Sequence, residues 1–420
     1  MKHISHPFRC RSAAALCILS LALICAAAEV PPAGVKSTRA MAMEYLGRHV
    51  PTVLKSQRGD GAFFPFPEWK EPSGYHQYCL YPLAYLYVTP EAGKFHRDPA
   101  LLKAVRASMR YSSGIMKPDG KFPLHSRGGY WGDALDEWWT YFALEAWSLI
   151  RTELSAEEDE LWRKTIRRSV DGCVAHVRAT LSNPRSIDPS DVQNHFVCFL
   201  HAVYRAGGVF AQEDWRQLAE EGFKRVIAAQ QPAGYWHEGG GPSTLYNFVT
   251  ARTISLYAIE SKNAAAWQAV RKAEEFHRAF TYPNGSPVET IDGRVRYVGR
   301  PISIIPPGFS WSPAGQAYVQ HLIKALMQIP FEDGFQGYAF FTDVARHAGG
   351  IEAKAPSPPD VYTLPNQLAG IIRAQGWVGV ASAIVKPPIA DSRWWQDRQQ
   401  HLSLWHPRTD LIVGGGNTKG

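Results

Sequence analysis

The chain has 420 residues, with 45 lysines and arginines against 38 aspartates and glutamates and a formal charge of +7. So mild a basic excess gives no ground for a nucleic-acid partner and suits an acidic polymer better than a neutral one. The length exceeds what one hydrophobic core usually serves, which points to a repeat-like architecture or to two domains.

Lys2, Arg9 and Arg11 precede an apolar stretch from Ala13 to Cys25, which closes on Ala26, Ala27 and Ala28 before Glu29. This pattern predicts a cleavable signal peptide over 1–28 and a periplasmic or secreted protein. The stretch falls short of the roughly 20 apolar residues that span a bilayer, and nothing later resembles one, so no stable membrane insertion is expected. Removing the leader takes Lys2, Arg9 and Arg11 and leaves 42 basic minus 38 acidic residues, or +4. Cys79, Cys173 and Cys198 then remain, an odd and widely spaced set that argues against a disulfide framework.

From Val35 into the 370s, amphipathic periodicity predicts about twelve helices, including 101–116, 134–154, 158–181, 192–206 and 214–230. Strand-like alternation is almost absent before Trp377, after which 377–385 and 401–405 look extended. Long loops rich in glycine and aromatics (58–73, 118–132, 182–190, 232–242, 282–309) alternate with short ones near Pro90, Ser155, Gly208 and Asn263. Such alternation implies helical hairpins in series, with every long loop on one face and leading into the start of an inner helix. A related turn recurs in four of these loops, at Gly59-Asp-Gly61, Pro118-Asp-Gly120, Pro232-Ala-Gly234 and Pro283-Asn-Gly285, where the central glycine supplies a positive φ. The fold expected is mainly α: an incomplete (α/α)6 or (α/α)7 toroid over 29–375, followed over 376–420 by the beginning of a β-rich, sandwich-like segment.

The long-loop face carries Phe63, Phe64, Phe66, Trp69, Tyr75, Tyr130, Trp131, Tyr235, Trp236, Tyr297 and Trp311. Flat rings stack on the apolar faces of sugars, so the set suits an oligosaccharide groove, with Trp131 and Trp236 as candidate stacking residues. Two places on this face carry chemistry. In Asp191-Val-Gln-Asn194-His195, Ser190 or Asp191 can cap a helix whose first turn holds Asn194 and His195. In His237-Glu238-Gly-Gly-Gly-Pro-Ser243-Thr-Leu-Tyr246, Ser243 caps the next inner helix and Tyr246 lies in its first turn. Elimination from a uronate needs a base for the C5 proton, an acid for the O4 leaving group and relief of charge on the carboxylate. Asn194 and the positive end of its helix supply donors for that charge, and His195 and Tyr246 are proton-transfer groups.

An Asn-His pair at an inner-helix start, followed about fifty residues later by Glu-x-x-x-Pro-Ser-x-x-Tyr, resembles the heparinase II/III-type lyases and related toroidal alginate lyases. The resemblance implies β-elimination of a uronic-acid polysaccharide such as alginate, glucuronan or a heparin-like chain. It gives Asn194 the carboxylate, His195 the role of base or charge stabiliser, and Tyr246 that of acid, with Glu238 supporting. Members of that family usually continue into a β-sandwich, and the strands near 400–419 look like its opening. A full sandwich would need more chain than remains before Gly420, so the expectation is either a chain that continues further or a nearly bare toroid.

His237 and Glu238 are candidate substrate contacts. If the segment 292–300 is extended, Arg294, Arg296 and Arg300 share one side, a row of guanidinium forks for regularly spaced carboxylates. Tyr297, on the other side, is a second candidate for the phenolic acid. No zinc spacing, phosphate-cradling loop or nucleophile elbow occurs, so no organic cofactor or catalytic metal is implied, and a structural cation is left open. Two competing readings are a toroidal glycoside hydrolase using Asp133, Asp136 and Glu137, and a non-catalytic glycan-binding protein.

Overall fold

In a computed structural model, which describes residues 36–64, 71–126, 129–183, 186–238, 241–331, 334–353, 358–384 and 401–414, helices are arranged as two concentric rings. The inner ring runs through α2 (Leu80–Val88), α4 (Glu137–Ile150), α6 (Asn194–Val209), α8 (Thr244–Ser261), a 3₁₀ turn at Pro307–Trp311, and α11 (Gly334–His347), which closes on α2. Outside it lie α3 (Pro99–Ile115), α5 (Ala156–Leu181), α7 (Glu213–Ala228), α9 (Ala264–Ala279), α10 (Pro313–Leu326) and α1 (Thr38–Lys55). The fold is thus the expected α/α toroid, with one inner position held by a single turn rather than a helix.

Sequence decides which ring a helix joins. In α3 the buried residues Leu101, Ala104, Val105, Ser108, Met109 and Ser112 fall on one stripe, as an outer helix with a wet face requires. In α2 and α8 burial runs round nearly the whole circumference. The starts are capped: Ser155 makes a capping box with Glu158, and Asp98 and Ser312 each precede a proline at the first helical position. Four inner helices also meet on one buried carboxylate. Asp343 of α11 accepts from Arg252 Nε of α8 at 2.8 Å, Tyr141 of α4 at 2.8 Å and Tyr81 of α2 at 3.2 Å.

The four glycine turns share one hydrogen-bond pattern. The N–H of Arg58, Lys117, Gln231 and Tyr282 donates to the carbonyl four residues on, and receives back at its own carbonyl the N–H of Gly61, Gly120, Gly234 and Gly285. All four glycines have positive φ, between 83° and 94°. At three of them a Cβ would collide with the backbone of an outer helix, at Ala107 of α3, Arg168 of α5 and Lys272 of α9. Gln57 and Gln230 repeat a further detail, each donating to its turn glycine's carbonyl at 3.0 Å and to an outer-helix carbonyl.

More strand is present than alternation suggested. A hairpin of β1 (Phe122–Ser126) and β2 (Gly129–Ala134) occupies the loop before α4, where Pro123, Gly129 and Gly132 interrupt any period of two. After α11, β3 (Val361–Thr363), β4 (Ala369–Ala374), β5 (Trp377–Ser382), β6 (Leu402–His406) and β7 (Asp410–Val413) form one antiparallel sheet in sequential order. Its first two strands precede Trp377. Ile371, Val378, Val380 and Trp405 on one sheet face pack with Phe276, Phe280, Tyr282 and Val288 in a shared apolar cluster. Among the described residues no helix is long and apolar enough to cross a membrane, and Cys79, Cys173 and Cys198 are free and buried. The segment read as a signal peptide, together with Phe66 and Trp69, lies outside the described residues.

Candidate active site

The long loops do lead into inner-helix starts, and one cavity of about 610 Å³ is lined from three of those loops and from the starts of α4, α6, α8 and α11. Its walls include Tyr75, Trp131, Asn194, His195, Glu238, Tyr246 and Arg294.

Asn194 is the first residue of α6, and neither Ser190 nor Asp191 caps that helix. The N-cap is Gln193, which offers no side-chain bond, and the carboxylate of Glu238 does the work instead. One oxygen accepts from the Asn194 backbone N–H at 3.0 Å and the other from its side-chain amide at 2.9 Å. The same carboxylate pairs with Arg294 at 2.5 Å. Burial pushes the Glu238 carboxyl above its ordinary range, against the opposing pull of Arg294 and of the Asn194 bonds.

His195 reaches the cavity with 58% of its side chain accessible, and its Nδ1 lies 2.6 Å from Oε1 of Glu137, which is almost wholly buried at the start of α4. Trp138 stacks on the imidazole with ring centroids 5.1 Å apart. Burial works against charge on this ring, yet the charge and hydrogen bond of Glu137, with smaller help from Glu238 and Asp136, outweigh it and raise the pKa. With Nδ1 engaged, Nε2 is left for a substrate.

Tyr246 stands in the first turn of α8, whose N-cap Ser243 accepts from the Tyr246 N–H. The Arg294 guanidinium lies 4.0 Å from the centre of its ring. No group among the described residues hydrogen-bonds the Tyr246 hydroxyl. Burial raises its pKa, with Arg294 opposing, so the phenol is protonated at neutral pH. Asp292 sets Arg294 in place: it is buried, accepts from the Thr244 hydroxyl at 2.8 Å, and takes the N–H groups of Arg294 and Val295 at 2.7 and 2.8 Å.

That turn corrects the extended reading of 292–300. No strand forms there, and Arg294 alone of the three arginines lines the cavity, while Arg296 is exposed and Arg300 half-buried outside it. Tyr297 also stands apart, its hydroxyl 2.5 Å from Asp410 and 3.2 Å from the Trp405 indole nitrogen. Trp236 is core rather than groove: it is 1% exposed and donates its indole N–H to the Val226 carbonyl. His237 braces the loop through its backbone, its carbonyl accepting from Val192 N at 2.7 Å. Trp131 is 56% exposed at the cavity rim, whereas Phe63, Phe64 and Tyr235 are buried.

The carboxylates weighed for hydrolysis are engaged elsewhere. Asp133 pairs with Lys117 on the hairpin. Asp136 caps α4, receives the Tyr78 hydroxyl at 2.8 Å, and is pushed by burial, with Glu137 adding, to a pKa of about 7. Glu137, at an inner-helix start like Asn194 and Tyr246, is instead the partner of His195. Its position was the available signal for that role. Asp191, Gln193 and Leu245, inside the two motifs, also line the cavity, and Trp138, Val249, Ile304 and Gln336 complete it from positions that neither motif marked. No group of three metal-binding side chains occurs among the described residues.

No family model and no curated protein matches this chain. Among solved structures it is similar to the Streptomyces coelicolor A3 chondroitin AC lyase in complex with chondroitin sulphate, with a TM-score of 0.52 and 13% identity over 88% of this chain and 54% of that one. It also matches a Paenibacillus xanthan lyase at a TM-score of 0.46, 10% identity, 88% of this chain and 37% of that one. A GH127 β-L-arabinofuranosidase from Geobacillus stearothermophilus T6 follows at 0.40, 10%, 83% and 67%. The chain spans about half the length of the first of these. That first likeness shows a shared fold.

Proposed function

We propose that this protein is a polysaccharide lyase that cleaves a uronic-acid-containing polysaccharide by β-elimination, and that it works outside the cytoplasm after removal of a signal peptide. The observation that carries the reading is the meeting of Asn194, His195, Tyr246 and Arg294 in one cavity, with Glu137 behind His195. In this reading the uronate carboxylate sits against Asn194 and Arg294. Each is engaged with Glu238, and the Asn194 amide and the positive charge of Arg294 offset the charge that builds on the carboxylate as C5 loses its proton.

His195 Nε2 takes the C5 proton. Glu137 holds the ring by Nδ1 and stabilises the imidazolium that forms, the role a buried carboxylate plays behind a histidine base. As the C5–H electron pair becomes the C4–C5 double bond, the C4–O4 bond breaks and the Tyr246 phenol gives its proton to the departing oxygen. The two environments separate the roles: a carboxylate strengthens the base, and burial keeps the acid protonated. The chemistry needs no organic cofactor.

The test is a panel of polyuronates, including alginate, glucuronan and heparin-like chains, scored for ultraviolet absorbance of unsaturated ends. Hydrolysis would release reducing ends without that absorbance, and a non-catalytic binder would release neither. Either result with the intact protein on every polymer would refute the lyase reading.

A further inference from the structure

Polar groups are set into the apolar contact between the C-terminal sheet and the toroid, and they gather on one turn. Glu289–Ile291 forms a buried 3₁₀ turn, and the N–H of Asp292 donates back to the Glu289 carbonyl at 2.9 Å. The Glu289 carboxylate accepts from the Tyr282 hydroxyl at 3.0 Å and from the hydroxyl of Ser403 on β6. Ser403 and Thr290 share a hydrogen bond between their hydroxyls, and Ser382 at the end of β5 donates to the Thr290 carbonyl at 3.0 Å. Glu289, Thr290, Ser382 and Ser403 are all buried, and among the described residues none of the four lines the cavity.

Apolar burial fixes how closely two layers approach and little else, because the hydrophobic effect has no direction. Hydrogen bonds to a buried carboxylate are directional, and a misfit leaves a buried group unsatisfied, at a cost larger than the bond's own net contribution. The two serines therefore hold the turn in one place as well as at one distance. The machinery of the cavity follows directly. Asp292, three residues on from Glu289, takes the N–H groups of Arg294 and Val295 and ties them to the start of α8 through the Thr244 hydroxyl. Arg294 then reaches Glu238, which holds the start of α6. One short turn thus joins strands β5 and β6 to the cation of the cavity.

Building on the placement of the uronate against Arg294, we propose that Glu289 and Ser403 are positioning residues for substrate: through the turn they lock, the sheet sets the Arg294 guanidinium where the carboxylate binds. The experiment measures Kd for glucuronate and mannuronate tetrasaccharides at 0.1 and 1 M salt, with Tyr246→Phe as the starting protein so that the oligosaccharide stays whole. Glu289→Gln, and the milder Ser403→Ala should the first fail to fold, should weaken the tighter Kd about tenfold at 0.1 M salt and lose most of its rise toward 1 M. In an Arg294→Ala background the same changes should cost nothing further, because their effect runs through that arginine. Val380→Ala, opposite Ser403 on β5, trims the same interface without removing a hydrogen bond, and should lower the melting temperature while leaving Kd unchanged. An unchanged Kd in the folded polar variants, a loss that persists in full without Arg294, or an equal loss in Val380→Ala would overturn the inference alone. A starting protein that binds neither oligosaccharide, or binds both as well without Arg294, would remove the uronate reading and the inference together.

Discussion

Replacing Glu137 by glutamine keeps the shape of the side chain at the start of α4 and removes the charge that faces His195 Nδ1 across 2.6 Å. The imidazole then loses both of the largest influences that raise its pKa, the charge of Glu137 and its hydrogen bond, and keeps burial, which lowers it. If His195 is the base, it acts only when deprotonated, so kcat/KM in the wild type should rise with pH through a pKa above the ordinary histidine range. In Glu137→Gln that rising limb should move to lower pH, and the plateau should fall by about 10²-fold as the base weakens and its ring is no longer held. Stability follows the same sign: a raised folded-state pKa contributes stability that is present below the unfolded value and is lost as pH rises through the folded one, and the variant should lose that dependence. The assay is the initial rate of unsaturated-product absorbance across pH 5 to 9 at several substrate concentrations, together with a melting curve at each end of the range. A variant with an unmoved limb and an unchanged plateau would refute the coupling of Glu137 to the base. A wild-type rate that falls over the same limb would make His195 a cation rather than a base.

Tyr246→Phe removes only the hydroxyl, so it should melt normally, bind oligouronate and form no unsaturated product, while Tyr297→Phe, at a residue tied to Asp410 and Trp405, should keep most of its turnover; the reverse outcome would move the acid to Tyr297. KM for a polyuronate should rise between 0.1 and 1 M salt as the Debye length falls from about 10 to about 3 Å. Arg294→Ala should remove most of that dependence and Arg296→Ala little of it; equal effects would take Arg294 out of substrate binding. Gly234→Ala should destabilise the fold by about 3 kcal/mol or more in denaturant titration, because the new Cβ meets the Lys272 carbonyl at a positive φ. Gly59→Ala, with open space at that position, should cost far less, and equal losses would deny the turn its packing role.

Helix positions were legible wherever one side of the helix is wet. The spans 101–116 and 158–181 match α3 and α5 to within two residues, because their apolar stripes and the Asp98 and Ser155 caps are local signals. Tyr246 was placed in a first turn for the same reason, since Ser243 is its cap. Contacts across the ring were not legible. Glu238 caps α6 from 44 residues away and Glu137 meets His195 across 58, and no local pattern carries either. Trp236 looked like a groove ring in a glycine-rich loop, yet Asn247 binds both its backbone N–H and its carbonyl, at 2.7 and 2.8 Å, and turns it inward. Arg294 parted from Arg296 because Asp292 makes a turn where alternation suggested a strand.

The four glycine turns bear on how such a protein changes over time. Each fixes the point where the chain leaves its outer helix, and the inner-helix caps fix the point where it returns. The stretch between is anchored at both ends, and away from the contacts that Glu238 and Arg294 make in its middle, added length costs little in closure entropy. Such a stretch can be lengthened or altered while the helix start bearing Tyr246 stays where it is, provided that Glu238, which holds the start bearing Asn194, is kept. The ring then behaves as a chassis with standard fittings, and the selectivity of its mouth can be re-engineered by grafting one loop at a time between a glycine and the next cap.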